Sequence, residues 1–253
     1  IGAGLDKPTD PAELAYTYER YLRVLPSFGV IPAFEALLNI NGFDGIDIDF
    51  SLVLHAEQDL VLHRPLTAVG DVENHARIAR VYDKGKAGLV VIEVESRDAE
   101  GPLVTNRFGV FARGEGGFGG ETTAPRPGNE PPDREPDAVV LSPTMSHQAL
   151  LYRLSGDANP LHADPEFASL AGFDVPILHG LCTYGIACKA VVDGLLDGDV
   201  DRVARYRVRF TGVVYPGETI VTSMWAETDR IVLSATTAER GEPVLSNAAI
   251  WLR

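Results

Sequence analysis

Two cysteines, two methionines and two tryptophans among 253 residues leave little material for disulfide frameworks or metal clusters. Cys182 and Cys188 lie six apart in a helix-like run, so they face different ways and read as buried free thiols. The pairs of cysteines that a zinc site needs are missing, as are G-x-S-x-G and H-E-x-x-H, so zinc and serine-hydrolase chemistry have no support. No run nears the ~18 apolar residues of a membrane span and no signal segment opens the chain, which gives the expectation of a soluble, cytoplasmic protein. Basic residues are also scarce: a formal charge of −14 opposes the counterion release that holds nucleic acid.

Hydrophobic residues make up 45% of the chain, enough for one large or two medium cores. Between Gly114 and Asp137 the text GEGGFGGETTAPRPGNEPPDREPD offers almost nothing aliphatic to bury, and its five prolines resist regular pairing. This segment divides the chain into 1–113 and 138–253. Each half repeats one order of elements, a helix after a proline and then several strands. In the first, Pro26 precedes a helix over Val30–Ile40, with strands at Leu52–Leu62, Asn74–Tyr82, Gly88–Ser96 and Leu103–Phe111. In the second, Pro176 precedes a helix over Leu181–Leu196, with strands at Val203–Phe210, Thr219–Glu227, Arg230–Ala238 and Val244–Leu252. The implied class is α+β, one helix wrapped by an antiparallel sheet, twice.

The chemistry gathers in Tyr152-Arg-Leu-Ser-Gly-Asp-Ala-Asn-Pro-Leu-His162, where a carboxylate, an amide and an imidazole meet around the Pro160 turn. Adding water to a conjugated thioester needs a base, an acid and a donor for the enolate-like oxygen. Asp157 and His162 supply the titratable pair, although the same residue types also build plain Asx turns. Gly180 opens the second helix, where an unpaired N–H and the positive helix end suit an oxyanion; close packing alone also explains a glycine there. His179 beside it reads as a hydrogen-bonded structural residue. Arg205, Arg207 and Arg209 share one strand face, either a positive surface for an anionic ligand or a solvated one. Gly114 to Gly119 match the dinucleotide glycine pattern but precede prolines and acids rather than a helix. Asp44 to Asp49 lack the calcium-loop spacing.

The run YRLSGDANPLHADPEFASLAGFDVPILHGLCTYGIA resembles the signature of R-specific, MaoC-like enoyl-CoA hydratases. The likeness spans essentially the whole chain, in the two-domain form found as the hydratase part of peroxisomal multifunctional enzymes. It implies a double hot-dog fold and the reversible hydration of trans-2-enoyl-CoA to (3R)-3-hydroxyacyl-CoA in fatty-acid or sterol side-chain β-oxidation. By resemblance, Asp157 and His162 are the catalytic pair, Asn159 orients the water or His162, and the Gly180 N–H polarises the thioester. Substrate contacts are implied for His55, Ala56, Lys84, Phe210 and, in the turn itself, Ala158, Pro160 and Leu161. From their own positions, Lys84 is a hairpin-turn lysine and His55 a half-buried strand residue. The first half lacks Asp-x-Asn-x-x-His, so 1–113 is expected to be a degenerate partner accommodating the acyl chain, with 138–253 catalytic. No metal or cofactor beyond the coenzyme A of the substrate is expected, nor a membrane or nucleic-acid partner, and a homodimer is preferred over a monomer. The alternatives are a hot-dog acyl-CoA thioesterase and a non-catalytic acyl-CoA-binding subunit.

Overall fold

The computed structural model describes residues 7–38, 53–122 and 128–253. Nine strands form one antiparallel sheet: β1 (Val53–Leu62), β2 (Glu73–Asp83), β3 (Ala87–Asp98), β4 (Gly101–Arg113), β5 (Ala138–Pro143), β6 (Val203–Phe210), β7 (Thr219–Ala226), β8 (Arg230–Thr237) and β9 (Pro243–Leu252). Their order is β2-β3-β4-β1-β6-β9-β8-β7-β5. The halves therefore meet strand to strand at β1 and β6, paired from Glu57↔Arg209 to Val61↔Arg205.

The helices are α1 (Pro11–Leu14), α2 (Phe34–Leu38), α3 (Gln148–Tyr152), α4 (Pro165–Leu170) and α5 (Gly180–Leu195). In α5, eleven of sixteen residues are buried, from Leu181 through Val192. A helix this apolar all round must be enclosed on most sides, and the curved sheet encloses it. Tyr184 of α5 and Tyr206 of β6 stack at 4.0 Å, and each hydroxyl donates to the other's main-chain carbonyl. That reciprocal pair fixes α5 against the seam between the halves. Cys182 and Cys188 are free and buried within the same helix.

The first half departs from the expected Val30–Ile40 helix. Residues Pro26–Val30 form a 3-10 helix, and α2 begins only at Phe34; residues 39–40 lie outside the described part, as do residues 44–49. Pro32 lacks the N–H that would continue the hydrogen-bond ladder from the preceding 3-10 turn, and the α-helix starts two residues beyond it. A strand the sequence did not announce, β5, follows the linker and pairs with β7 at the sheet edge.

The first part of the linker, residues 114–119, is laid down on the β2–β3 hairpin. The Asp83 carboxylate accepts from the N–H groups of Gly85, Gly117 and Gly119, which holds its pKa below the ordinary carboxylate range. At Gly116 a Cβ would lie 2.4 Å from the Ala87 nitrogen. The glycine pattern of 114–119 thus serves close backbone approach to the β2–β3 hairpin.

Candidate active site

The chain from Tyr152 to His162 is shaped by local capping. Gly156 takes a left-handed conformation (φ 113°) that ends the turn after α3. The Asn159 side-chain oxygen then accepts from Leu161 N–H at 3.0 Å, capping a short 3-10 helix that starts at Pro160. Asn159 also donates its own N–H to Asp157 Oδ1 at 3.2 Å. Its amide oxygen is committed to the turn, so Asn159 shapes the loop that presents Asp157 and His162.

His162 is buried, and its Nδ1–H donates to the Ile177 carbonyl at 2.8 Å. A carbonyl only accepts, so the neutral ring carries its proton on Nδ1 and offers the Nε2 lone pair to the site. Burial lowers the imidazole pKa of His162 and raises the carboxyl pKa of Asp157; the attraction between them opposes both shifts.

His179, set aside in the sequence, is part of this cluster. It is 1% exposed, stacks on His162 with centroids 3.8 Å apart, and packs against Tyr152 at 4.7 Å. Its Nε2–H donates to the Asp157 carbonyl at 3.1 Å, and its Nδ1 has no partner among the described residues. Desolvation and then the neighbouring His162 push its pKa down to about 3, so the ring is neutral. Asp157, His162 and His179 each bring a ligand atom within 4.8 Å of the others, a set able to hold a proton relay or a cation.

Gly180 is the first residue of α5, where the N–H has no intrahelical acceptor. A Cβ at Gly180 would stand 3.2 Å from the Phe210 ring. Phe210 in turn lies 4.9 Å from His55, which touches Phe108 at 5.8 Å. The structure therefore gathers His55, Phe210 and Gly180, from three elements and both halves. His55 is dehydrated among these rings and its pKa falls to about 4. Ala56 occupies the β-bulge that shifts the β1–β4 register between His55 and Glu57.

Other sequence expectations fall elsewhere. Lys84 donates to the Thr122 carbonyl and lies over the Tyr82 ring, contacts belonging to the linker surface. Arg205 is held in a two-pronged ion pair by Asp59, and Arg207 pairs with Glu57. Their charge is neutralised across the β1–β6 seam, which no spacing within β6 could disclose. Leu161 packs with Ala168 and Ile177 in a small separate cluster, so its side chain anchors the turn.

A cavity of ≈ 1120 Å³ adjoins this site. It is lined by residues of α3 including Tyr152, of α5 including Leu181, of β5 and of the segment from Lys7 to Ile31. Among the described residues, no helix is long and apolar enough to cross a membrane.

Comparison with known proteins gives a consistent set of likenesses. Residues 127–248 match the MaoC like domain and residues 1–114 the MFE-2 hydratase 2 N-terminal domain. Enoyl-CoA hydratase ChsH3 of Mycobacterium tuberculosis is 46% identical over 97% of this chain and 86% of its own length. Peroxisomal multifunctional enzyme type 2 of Mus musculus is 42% identical over the whole chain, which spans only 35% of that protein. The solved MaoC-like dehydratase of Phytophthora capsici superposes with TM-score 0.86 at 34% identity, over 95% of this chain and 86% of its own. A Mycobacterium tuberculosis protein described as a double hotdog fold shares the fold alone, with TM-score 0.56 at 15% identity over 95% of this chain and 84% of its own.

Proposed function

The chain belongs to the MaoC-like hydratases, in the two-part form with an MFE-2 hydratase 2 N-terminal domain, and from that membership we propose how its residues act. The protein is a hydro-lyase with a double hot-dog fold that hydrates trans-2-enoyl-CoA to (3R)-3-hydroxyacyl-CoA in β-oxidation. The observation that carries the site assignment is the meeting of Asp157 and His162 in one cluster beside the start of α5.

In this reading one water is held between Asp157 and the His162 Nε2 lone pair. The pair takes a proton from the water as its oxygen bonds C3, and the C2=C3 electrons move toward the thioester oxygen. The Gly180 N–H, at the positive end of α5, supports the charge gathering there. The same pair returns the proton to C2 on the same face, so the site ends in its starting state. Asn159 and His179 fix the geometry, and His55, Ala56 and Phe210 border the thioester.

The steps are proton transfers and the addition of water across C2=C3 with no change in overall oxidation level, so the reading requires no metal or redox cofactor. Residues 138–253 carry the chemistry, and 1–113 contribute mainly the wall of the acyl cavity. A cytoplasmic location and a homodimer belong to the same proposal, although several relatives are named as peroxisomal; fractionation and light scattering decide them. The deciding experiment follows the enoyl-thioester absorbance with chiral analysis of product, beside Asp157→Asn. Loss of signal with R product, abolished in the variant, is expected. Free coenzyme A release would identify a thioesterase, and binding without turnover an idle acyl-CoA carrier.

A further inference from the structure

The ring of His179 is held by a single hydrogen bond and by ring contacts. Its Nε2–H donates to the Asp157 carbonyl at 3.1 Å, while Nδ1 is buried with no partner among the described residues. A lone hydrogen bond fixes one point of a ring and leaves the plane free to turn about it. The last torsion of a histidine side chain has no sharp staggered wells, so the plane is set by what packs on it. Two rings do so, His162 at 3.8 Å and Tyr152 at 4.7 Å between centroids.

Local rules bring Tyr152 to this place. The buried residues of α3 are Gln148, Ala149 and Tyr152, which puts Tyr152 one turn beyond Gln148 on the inward face, while Leu150 and Leu151 are exposed. Beyond the left-handed Gly156 the same segment supplies the Asp157 carbonyl, so one stretch of chain delivers two of the contacts on His179. The Tyr152 hydroxyl has no hydrogen-bond partner among the described residues, and burial raises its pKa well above the ordinary range, so it is a neutral phenol. Tyr152 also lines the cavity, whereas Asp157, His162 and His179 do not; its ring stands between the cavity and His179.

We infer that Tyr152 is a positioning residue of the hydration step: its ring sets the plane of His179 and, through that plane, the placement of the His162 imidazole and of Asp157. This deepens the hydratase reading and rests on it. Reacting groups must be held to within about 0.5 Å of their productive places, and a His179 ring that turns loses both its stack on His162 and its aim at the Asp157 carbonyl. Without the Tyr152 ring the cavity would reach His179, and water there would compete for its Nε2–H.

Steady-state hydration of a trans-2-enoyl-CoA by the full chain is measured for Tyr152→Phe, Tyr152→Leu and Tyr152→Met, each alone and combined with His179→Ala, with thermal melts as the folding control. The leucine and methionine variants are expected to lose roughly 3- to 10-fold in kcat with KM little changed, the scale of one aromatic pair. Tyr152→Phe keeps the ring and is expected to retain a kcat close to that of the unmodified protein. In the His179→Ala background the Tyr152 substitutions are expected to change kcat little, because the residue acts through His179. Full kcat in Tyr152→Leu and Tyr152→Met, a rise in KM at constant kcat, or losses that multiply with that of His179→Ala overturn the inference and leave the hydratase reading standing. So does a several-fold loss of kcat in Tyr152→Phe, which preserves the buried ring and decides the matter even where the other two variants fail to fold. Failure of the unmodified protein to hydrate any enoyl-CoA overturns both.

Discussion

The imidazole of His179 lies against that of His162, 3.8 Å between centroids and 26° between planes, while its Nε2–H holds the Asp157 carbonyl. One ring thereby braces both members of the proposed catalytic pair. Neither contact would touch substrate, so its effect falls on the geometry of the chemical step.

His179→Ala is expected to lower kcat by ~10-fold or more with KM little changed, since it removes support for a step rather than for binding. His179→Gln keeps a donor for the Asp157 carbonyl and should recover part of the loss. Steady-state kinetics on both variants checks this; a rise in KM at constant kcat would contradict it.

Asp157→Asn and His162→Ala should each fold normally and lose at least ~100-fold in turnover, the usual scale for a positioned acid or base. Circular dichroism and thermal melts control for folding. Near-normal turnover in either would remove that residue from the mechanism.

Gly180→Ala separates packing from catalysis. Its methyl would press on Phe210 at 3.2 Å, so a stability loss of about 1–3 kcal/mol is expected from overpacking. Combining it with Phe210→Leu makes room. If the double variant regains stability but not the turnover of Phe210→Leu alone, the methyl obstructs the substrate's approach to the start of α5 rather than the packing of the fold.

Stability should fall on acidification from neutrality, before most carboxylates are protonated. His55 and His179 are held near 4 and 3, below the ordinary ~6.5, so below that pH the unfolded chain binds more protons. Each group then costs up to ~1.4 kcal/mol per pH unit until its folded pKa is reached. Asp157, raised in the fold, acts in the opposite sense over part of the interval. Urea unfolding at pH 7 and pH 5 measures the slope, and His55→Gln should flatten it.

Prolonged treatment with a chelator is expected to leave hydration unchanged, because proton transfer suffices for the proposed steps. Activity that vanished and returned with a divalent ion would make the Asp157, His162 and His179 cluster a metal centre.

Much of the architecture was written in local patterns. Alternation placed eight strands to within a residue or two, and the unbroken apolar run after Gly180 announced α5. β5 escaped because Ala138–Pro143 offers a short apolar stretch ending in a proline, and only pairing with β7 makes it a strand. In the site, turn chemistry located Asp157, Asn159 and His162. The role of His179 depends on a stack and a carbonyl brought together by the fold, and a lone histidine carries no sign of either. Arg205 and Arg207 were rightly set on one face, but their partners lie on β1 about 150 residues away, at Asp59 and Glu57.

The strand pair β1–β6 joins within one chain two sheets that, in separate polypeptides, would have to find each other by diffusion. Dilution cannot pull them apart, because the effective concentration of one half about the other is set by the connecting chain. His55 and Phe108 therefore remain beside Phe210 and Gly180 however scarce the protein is. Specific activity should accordingly hold constant down to the lowest concentrations assayed, even where any larger assembly has dissociated.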